Sequence, residues 1–430
     1  MLSYKHEIGD TVWLMLMQGL TYLAPLLVWP YLMATLGAEK FGYIGFSQSV
    51  MLFLMQLVDF GFNFSVTKKI AQAKDNQTAV NRIASATLLA RVYLLGIGAL
   101  ILGIVLCVPR FAVYRSVLMI MFLMVVANAF SFVWLFQGLG KIRIVSIVTS
   151  LCKLTILPLT FFFVHSGNDV TIAAALQAAV YVVASLITFG FIVGKKYVTQ
   201  WSLHIEKSEI KEIFSSSFNI FLSGMATMFY TTFFVIILGY IAAPDVVGKY
   251  TAAEKLVRMA CYFVFTPLAQ SFFPKVSAMA PQYPQKCVQL INKLLIVCLL
   301  LMSAIGIAFL LGADLIVDLL HRQEYIGTEK LIRIMAFLPL IVSIGGISGQ
   351  LGLLALGDEK SKLYYRNVYF IAVAIGLPCL CLLTPLFAVK GVALSLMVSE
   401  TFICLAMYIA YKKLTKESLN NISSNSGFVS

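Results

Sequence analysis

Twelve long apolar stretches run along this chain, and the polar connections between them are alternately rich and poor in Lys and Arg. A helix needs roughly 20 mostly apolar residues to cross the hydrocarbon core of a bilayer. The crossings predicted on that criterion are Thr11–Leu36, Tyr43–Phe62, Ile83–Val108, Val113–Phe136, Ile144–Val164 and Ile172–Gly194. Six more follow at Ser216–Ile241, Tyr250–Pro274, Val288–Leu311, Leu331–Leu356, Tyr365–Leu383 and Val389–Tyr411. Only helices suit such runs. An apolar stretch of this length has no water for its backbone groups, and it lacks the alternation of a porin strand.

The Lys and Arg residues give these crossings an orientation. The N-terminus, the even-numbered loops and the tail hold 20 of them, the odd-numbered loops 8, and Arg91, Lys153, Lys255 and Arg258 fall inside crossings. The positive-inside bias predicts both termini in the cytoplasm. The first apolar run is too long for a cleavable signal and reads as a signal anchor.

Composition agrees with a bilayer. Apolar residues make up 60% of the chain, charged residues 12%, and the mean hydropathy is +0.91. A water-soluble protein of this length would have too little polar surface. The net charge of +13 is mostly the topological bias, with anionic headgroups as a further attraction. It does not form the single stripe that nucleic acid requires. The eight cysteines sit mostly within crossings, with no metal-ligand spacing, and read as small packing residues.

The predicted architecture is all-α and integral to the membrane: an N-lobe at 1–200, an amphipathic cytoplasmic linker at 201–215, a C-lobe at 216–411 and a polar tail at 412–430. The two halves match weakly. At an offset of 206 residues, Ala38-Glu39-Lys40-Phe41-Gly42 falls on Pro244-Asp245-Val246-Val247-Gly248, and Lys69 falls on Lys275. Later, Gly140-Lys141-Ile142-Arg143 resembles Glu359-Lys360-Ser361-Lys362. Both halves start on the same side, so the expected relation is a pseudo-two-fold axis along the membrane normal.

Two regions carry a family resemblance. Pro25-Leu26-Leu27-Val28-Trp29-Pro30-Tyr31-Leu32, then Leu36 to Gly42, then Asp59-Phe60-Gly61-Phe62-Asn63 with Lys68-Lys69-Ile70-Ala71, resemble the opening of bacterial polysaccharide-unit flippases. These are the O-antigen, or Wzx-type, transporters of the multidrug/oligosaccharidyl-lipid/polysaccharide exporter superfamily. Tyr250 to Lys255 and Ser271 to Ser277 resemble that family's eighth helix. The resemblance implies transfer of an undecaprenyl-diphosphate-linked oligosaccharide across the bacterial inner membrane by alternating access. A polysaccharide polymerase and a chain-length regulator are implied as partners, and lipopolysaccharide or a similar surface glycan as the product. Lys at both Lys68 and Lys69 departs from the family's basic position, leaving the role of either open.

The candidate chemistry lies in charges within the crossings, where a central charge costs roughly 3 kcal/mol or more. Arg91, Lys153, Arg258 and Lys255 are the candidates for binding the lipid diphosphate, since cations can replace the hydration of a compact anion. The alternative is that Arg91 and Lys255 snorkel to an interface, and that Glu254 and Arg258 form a structural i,i+4 pair. Glu400, Asp59 and Glu254 are candidates for coupling to a proton or sodium gradient, no other cofactor being called for. Glu400 reads as the better isolated, and Asp59 as near enough to the inner face to pair with Lys68 or Lys69. Asn128, Gln56, Asn219 and Gln350 could contact sugar hydroxyls or join helices. No catalytic residue is expected. A cation-coupled multidrug exporter is the nearest alternative, and a membrane glycan polymerase or glycosyltransferase is a remoter one.

Overall fold

The computed structural model describes the backbone of residues 2–426 apart from 203–204 and 321–322. It describes side chains from residue 25 to 416, except at those positions and at 230, 262, 270, 274 and 359. The linker residues Leu203 and His204, the loop residues His321 and Arg322 and the tail from residue 417 therefore lie outside the described side chains.

Helix follows helix throughout. The first half of the chain forms α1 (Leu2–Asp59), α2 (Phe62–Ala73), α3 (Gln77–Cys107), α4 (Arg115–Ala129), α5 (Val133–Gly138), α6 (Ile142–Phe163) and α7 (Val170–Gly194). The second forms α8 (Lys207–Thr231), α9 (Phe233–Ile241), α10 (Pro244–Ala260), α11 (Thr266–Met279), α12 (Pro284–Leu319), α13 (Thr328–Met335), α14 (Leu338–Gly346), α15 (Glu359–Phe387) and α16 (Val389–Ser426). Among the described residues, ten helical runs are long and apolar enough to cross a membrane. An eleventh arises if α8 and α9, bent by 44° at their junction, form one span. The chain is a multi-pass membrane protein. The first two predicted crossings fall in one nearly continuous helical run, broken within α1 at Gly37 (φ 71°, ψ 170°), and that run is counted once among the ten.

Pro25 and Pro30 lie inside α1, whereas α1 stops where Phe60 and Gly61 take positive φ. A left-handed pair ends a helix because its carbonyls no longer line up for the next turn, and Gly61 takes that conformation without a Cβ penalty. From Lys207 the linker is the start of α8. Ser202, and Tyr197 and Thr199 just before the linker, lie along α3, where Gln77, Asn81 and Ser85 recur every four residues. Gln77 donates to the Tyr197 carbonyl (3.1 Å), Asn81 donates to Thr199 Oγ1 (2.8 Å), and Ser85 accepts from the Ser202 amide (3.0 Å).

The chain divides into two compact units, Met1–Gly248 and Lys249–Ser430. In the first, α8 and α9 pack on α1 through Phe53, Phe229 and Phe233 and through the stacked rings of Phe60 and Phe221, 4.2 Å apart. The beginning of α10 also belongs here. A β-carbon on Gly42 would collide with the Pro244 carbonyl, and one on Gly248 with the Ala38 carbonyl, so the two backbones touch. The second unit buries Ile291, Cys298 and Met302 of α12 against Ile347, Leu351 and Tyr411. Tyr411 donates to Asn292 across that core (3.1 Å). π-helical turns at Cys261–Phe265 and Ile347–Leu356 interrupt its helices.

Candidate functional site

Arg91 lies about four turns into α3, 1% exposed. Its guanidinium forms a salt bridge with Asp59, the last residue of α1, and donates to the carbonyls of Asn128 and Ser131, each at 2.8 Å. Both carbonyls lie at or just beyond the end of α4 at Ala129, where the regular i→i−4 ladder stops, so Arg91 caps the C-terminal end of one helix and the terminal carboxylate of another. Asn128 in turn donates to the Met55 carbonyl (3.2 Å), a helix-to-helix use. Asp59 therefore does not pair with Lys68 or Lys69. The break at Phe60–Gly61 separates it from α2, and the deeper guanidinium takes it.

Arg258 is held in the same way in the second unit. Its Nε donates to Glu254 one turn earlier (2.9 Å) and its Nη2 to Glu400 of α16 (3.2 Å), all three side chains being no more than 15% exposed. The expected i,i+4 pair is present. Glu400, expected to be isolated, shares the same guanidinium, because α16 brings it there from 142 residues away. Lys255 is half-buried beside this cluster, within the field of Glu254. Two acids and two bases cancel, so the formal charges of this cluster sum to zero.

Lys153 differs. It is half-buried on α6, beside Cys152, which packs with Val148 and Ala184. No ion pair or hydrogen bond engages it among the described residues. Of the four basic candidates, it is the one whose charge is not offset by a neighbour.

A second group of charges lies where α2, α3 and α8 meet. Lys69 donates to Glu212 (2.8 Å), and Arg82 pairs with Glu209 (2.8 Å) and, more loosely, Glu206 (4.0 Å). Lys69, Arg82, Glu209 and Glu212 surround an open cleft of about 460 Å³ with Gln72 and Ile213 in its lining. Sequence reading expected an amphipathic linker at 201–215 but not the partners of its acids. The spacing of Glu209 and Glu212 on one helical face was the available signal.

Magnitudes separate these groups. Removing one partner of a buried ion pair costs about 3–5 kcal/mol, whereas an exposed pair contributes about 0–1 kcal/mol. Asp59–Arg91 and Glu254–Arg258–Glu400 belong to the first kind. Lys69–Glu212 and Arg82–Glu209 belong to the second, with Glu212 72% and Arg82 56% exposed. The outer pairs can exchange partners; the buried ones stay locked.

The family model described as "Polysaccharide biosynthesis protein" matches residues 8–280. The chain is 31% identical over 408 residues to the "Putative O-antigen transporter" of Escherichia coli (strain K12), covering 94% of this chain and 97% of that one. Among solved structures, an inward-facing multidrug resistance MATE family transporter of the MOP superfamily superposes with a TM-score of 0.68 at 15% identity, over 93% of this chain and 95% of the other. The lipid II flippase MurJ in an inward closed conformation gives 0.67 at 11% identity, over 94% and 87%. These last two likenesses establish a shared fold. With its N-terminal two-thirds matched by the family model and nearly its whole length by a relative, this chain belongs to the polysaccharide biosynthesis protein family.

Proposed function

We propose that the protein moves lipid-linked oligosaccharide units, built on a polyprenyl diphosphate such as undecaprenyl diphosphate, across the bacterial inner membrane for O-antigen or a similar surface glycan. The observation that carries this reading is the full-length similarity to an O-antigen transporter within that family. In this reading the crossings number twelve, with the Gly37 break separating the first two, and both termini face the cytoplasm. The reciprocal packing of Ala38–Gly42 on Pro244–Gly248 supports a repeat related by a pseudo-two-fold axis. The lobes are assigned to 1–200 and 216–411, joined by the linker at 201–215 and followed by the tail at 412–430.

Transport by alternating access needs no covalent chemistry. It needs a cation that meets the diphosphate in a medium where an unpaired anion is costly. Lys153 takes that role, while Arg91 and Arg258 position helices. Glu254 and Glu400, sharing one guanidinium, form the proposed coupling site: one carboxyl takes up a proton while the other keeps Arg258 paired. Asp59 is held by Arg91 and is assigned a positioning role. A polymerase and a chain-length regulator are the proposed partners in the membrane.

A cation-coupled drug exporter would use the same fold, but the family match and the relative favour the glycan. Deleting the gene in its host tests this. Lipid-linked repeat units should accumulate on the cytoplasmic leaflet, and surface glycan should return with the wild-type gene. Normal glycan export together with new drug sensitivity would replace this reading with the exporter.

A further inference from the structure

We infer that the cleft between α2, α3 and α8 is a docking site for the diphosphate headgroup of the polyprenyl-linked substrate, in which Lys69 and Arg82 exchange Glu212 and Glu209 for phosphoryl oxygens. This inference rests on the proposed flippase reading and adds a site that the buried charges do not supply.

Three observations lead to it. First, the cleft of about 460 Å³ falls within the usual size of small-molecule sites, roughly 300–1,000 Å³. Second, its two cations come from different helices, one at the end of α2 and the other at the start of α3. Between them they present an ammonium and a guanidinium to two adjacent phosphoryl groups. A guanidinium can grip phosphate oxygens through two parallel N–H bonds, and the ammonium acts as a point charge. Gln72 adds a neutral side-chain donor, and Ile213 of α8 adds an apolar surface.

Third, the two cations already hold anions. Each carboxylate on α8 occupies the place a phosphoryl group would take, so α8 carries an internal stand-in for the ligand. These pairs are exposed enough to be exchanged, unlike Asp59–Arg91, where one guanidinium serves a carboxylate and two carbonyls. Glu209 and Glu212 therefore compete with the substrate. The site also lies at the ends of α2 and α3 on the Lys/Arg-rich side, where Lys68 and Lys74 are exposed and add to the attraction for an anion.

The competition gives opposite signs for the two kinds of variant, which a purely structural role would not. The full-length protein is reconstituted in nanodiscs of phosphatidylcholine, and binding of farnesyl diphosphate is measured by titration. K69Q and R82Q should each weaken binding about five- to tenfold, K69R should restore it, and E209Q and E212Q should each tighten it by about two- to fivefold. Wild-type binding that none of these variants alters, while Lys153→Gln abolishes it, would overturn the cleft and leave the flippase reading standing. Weakening by all four glutamine variants would make the charges structural and overturn it as well. Two further arms identify the ligand. Inorganic diphosphate should compete with farnesyl diphosphate, whereas phosphatidylglycerol in the nanodisc should not. Displacement by phosphatidylglycerol would make this a phospholipid site. Failure of the wild type to bind farnesyl diphosphate at all would overturn the cleft, while the flippase reading stands or falls with the deletion strain.

Discussion

Gly42 and Gly248 occupy matching places in two similar segments 206 residues apart, and the two segments rest on one another. A β-carbon on Gly42 would strike Pro244, and one on Gly248 would strike Ala38. The contact is reciprocal: each glycine faces the residue four positions before the other. Small residues allow helix backbones in a membrane to approach this closely. Gly42→Ala and Gly248→Ala should each lower stability by about 1–3 kcal/mol through overpacking, seen as an earlier thermal unfolding of the detergent-purified protein. Unchanged unfolding in both would mean that the approach is not needed.

Arg91→Ala should reduce the amount of folded protein in the membrane, because it leaves the Asp59 carboxylate and two carbonyls without their donor. The expected loss is about 3–5 kcal/mol. Arg91→Lys should recover little of it, since one ammonium cannot reproduce the planar fork. Wild-type membrane levels of Arg91→Ala, combined with abolished transport, would return Arg91 to direct substrate binding.

Glu254→Gln and Glu400→Gln should behave non-additively. Either alone leaves Arg258 one carboxylate, whereas the double variant removes both carboxylates from a buried guanidinium. A double-mutant cycle on thermal stability should show the pair losing more than the sum of the singles, by about 0.5–3 kcal/mol. Simple additivity would indicate that the two acids do not share their partner.

Lys153→Ala should leave stability within about 0.5 kcal/mol of the wild type, since the side chain has no bonded partner to abandon. Surface glycan, scored by complementation of the deletion strain, should fall strongly. Full complementation would remove Lys153 from the transport path.

Asp358 caps α15 outside the apolar spans, accepting from the Ser361 amide (2.9 Å) and hydroxyl (2.8 Å). The Ser361 amide, then its hydroxyl, holds the carboxyl below its usual value of 3.8. A carboxyl lowered on folding stabilises above its unfolded pKa, and that contribution is lost as pH falls through the folded value. Amide exchange at Ser361 should therefore accelerate only below about pH 4, and Asp358→Ala should accelerate it at neutral pH, reflecting a cap worth about 1 kcal/mol. Equal protection in the variant and the wild type would show that the cap does not order α15.

How much of this was legible in the sequence differs from feature to feature. The run from Gln77 to Cys107 was predicted as a crossing at Ile83–Val108 because an apolar helix in lipid satisfies its own backbone, so local composition is enough. The i,i+4 pair of Glu254 and Arg258 was equally local. Asp59 was assigned to the nearby Lys68 or Lys69, since proximity in sequence was the only guide. The break at Phe60–Gly61 turned α2 away, and α3 delivered Arg91 instead. Likewise, nothing near Glu400 in the chain announces Arg258.

The sequence by itself determined that the chain is helical and membrane-embedded, and which residues pay the cost of charge within the bilayer, because hydrophobic burial and backbone satisfaction act over a few turns. Only the tertiary structure decided which of those charges are spent on one another. Ion pairing depends on distances across helices from remote parts of the chain, and it left Arg91 and Arg258 locked, Lys153 unengaged, and Lys69 and Arg82 in pairs weak enough to exchange.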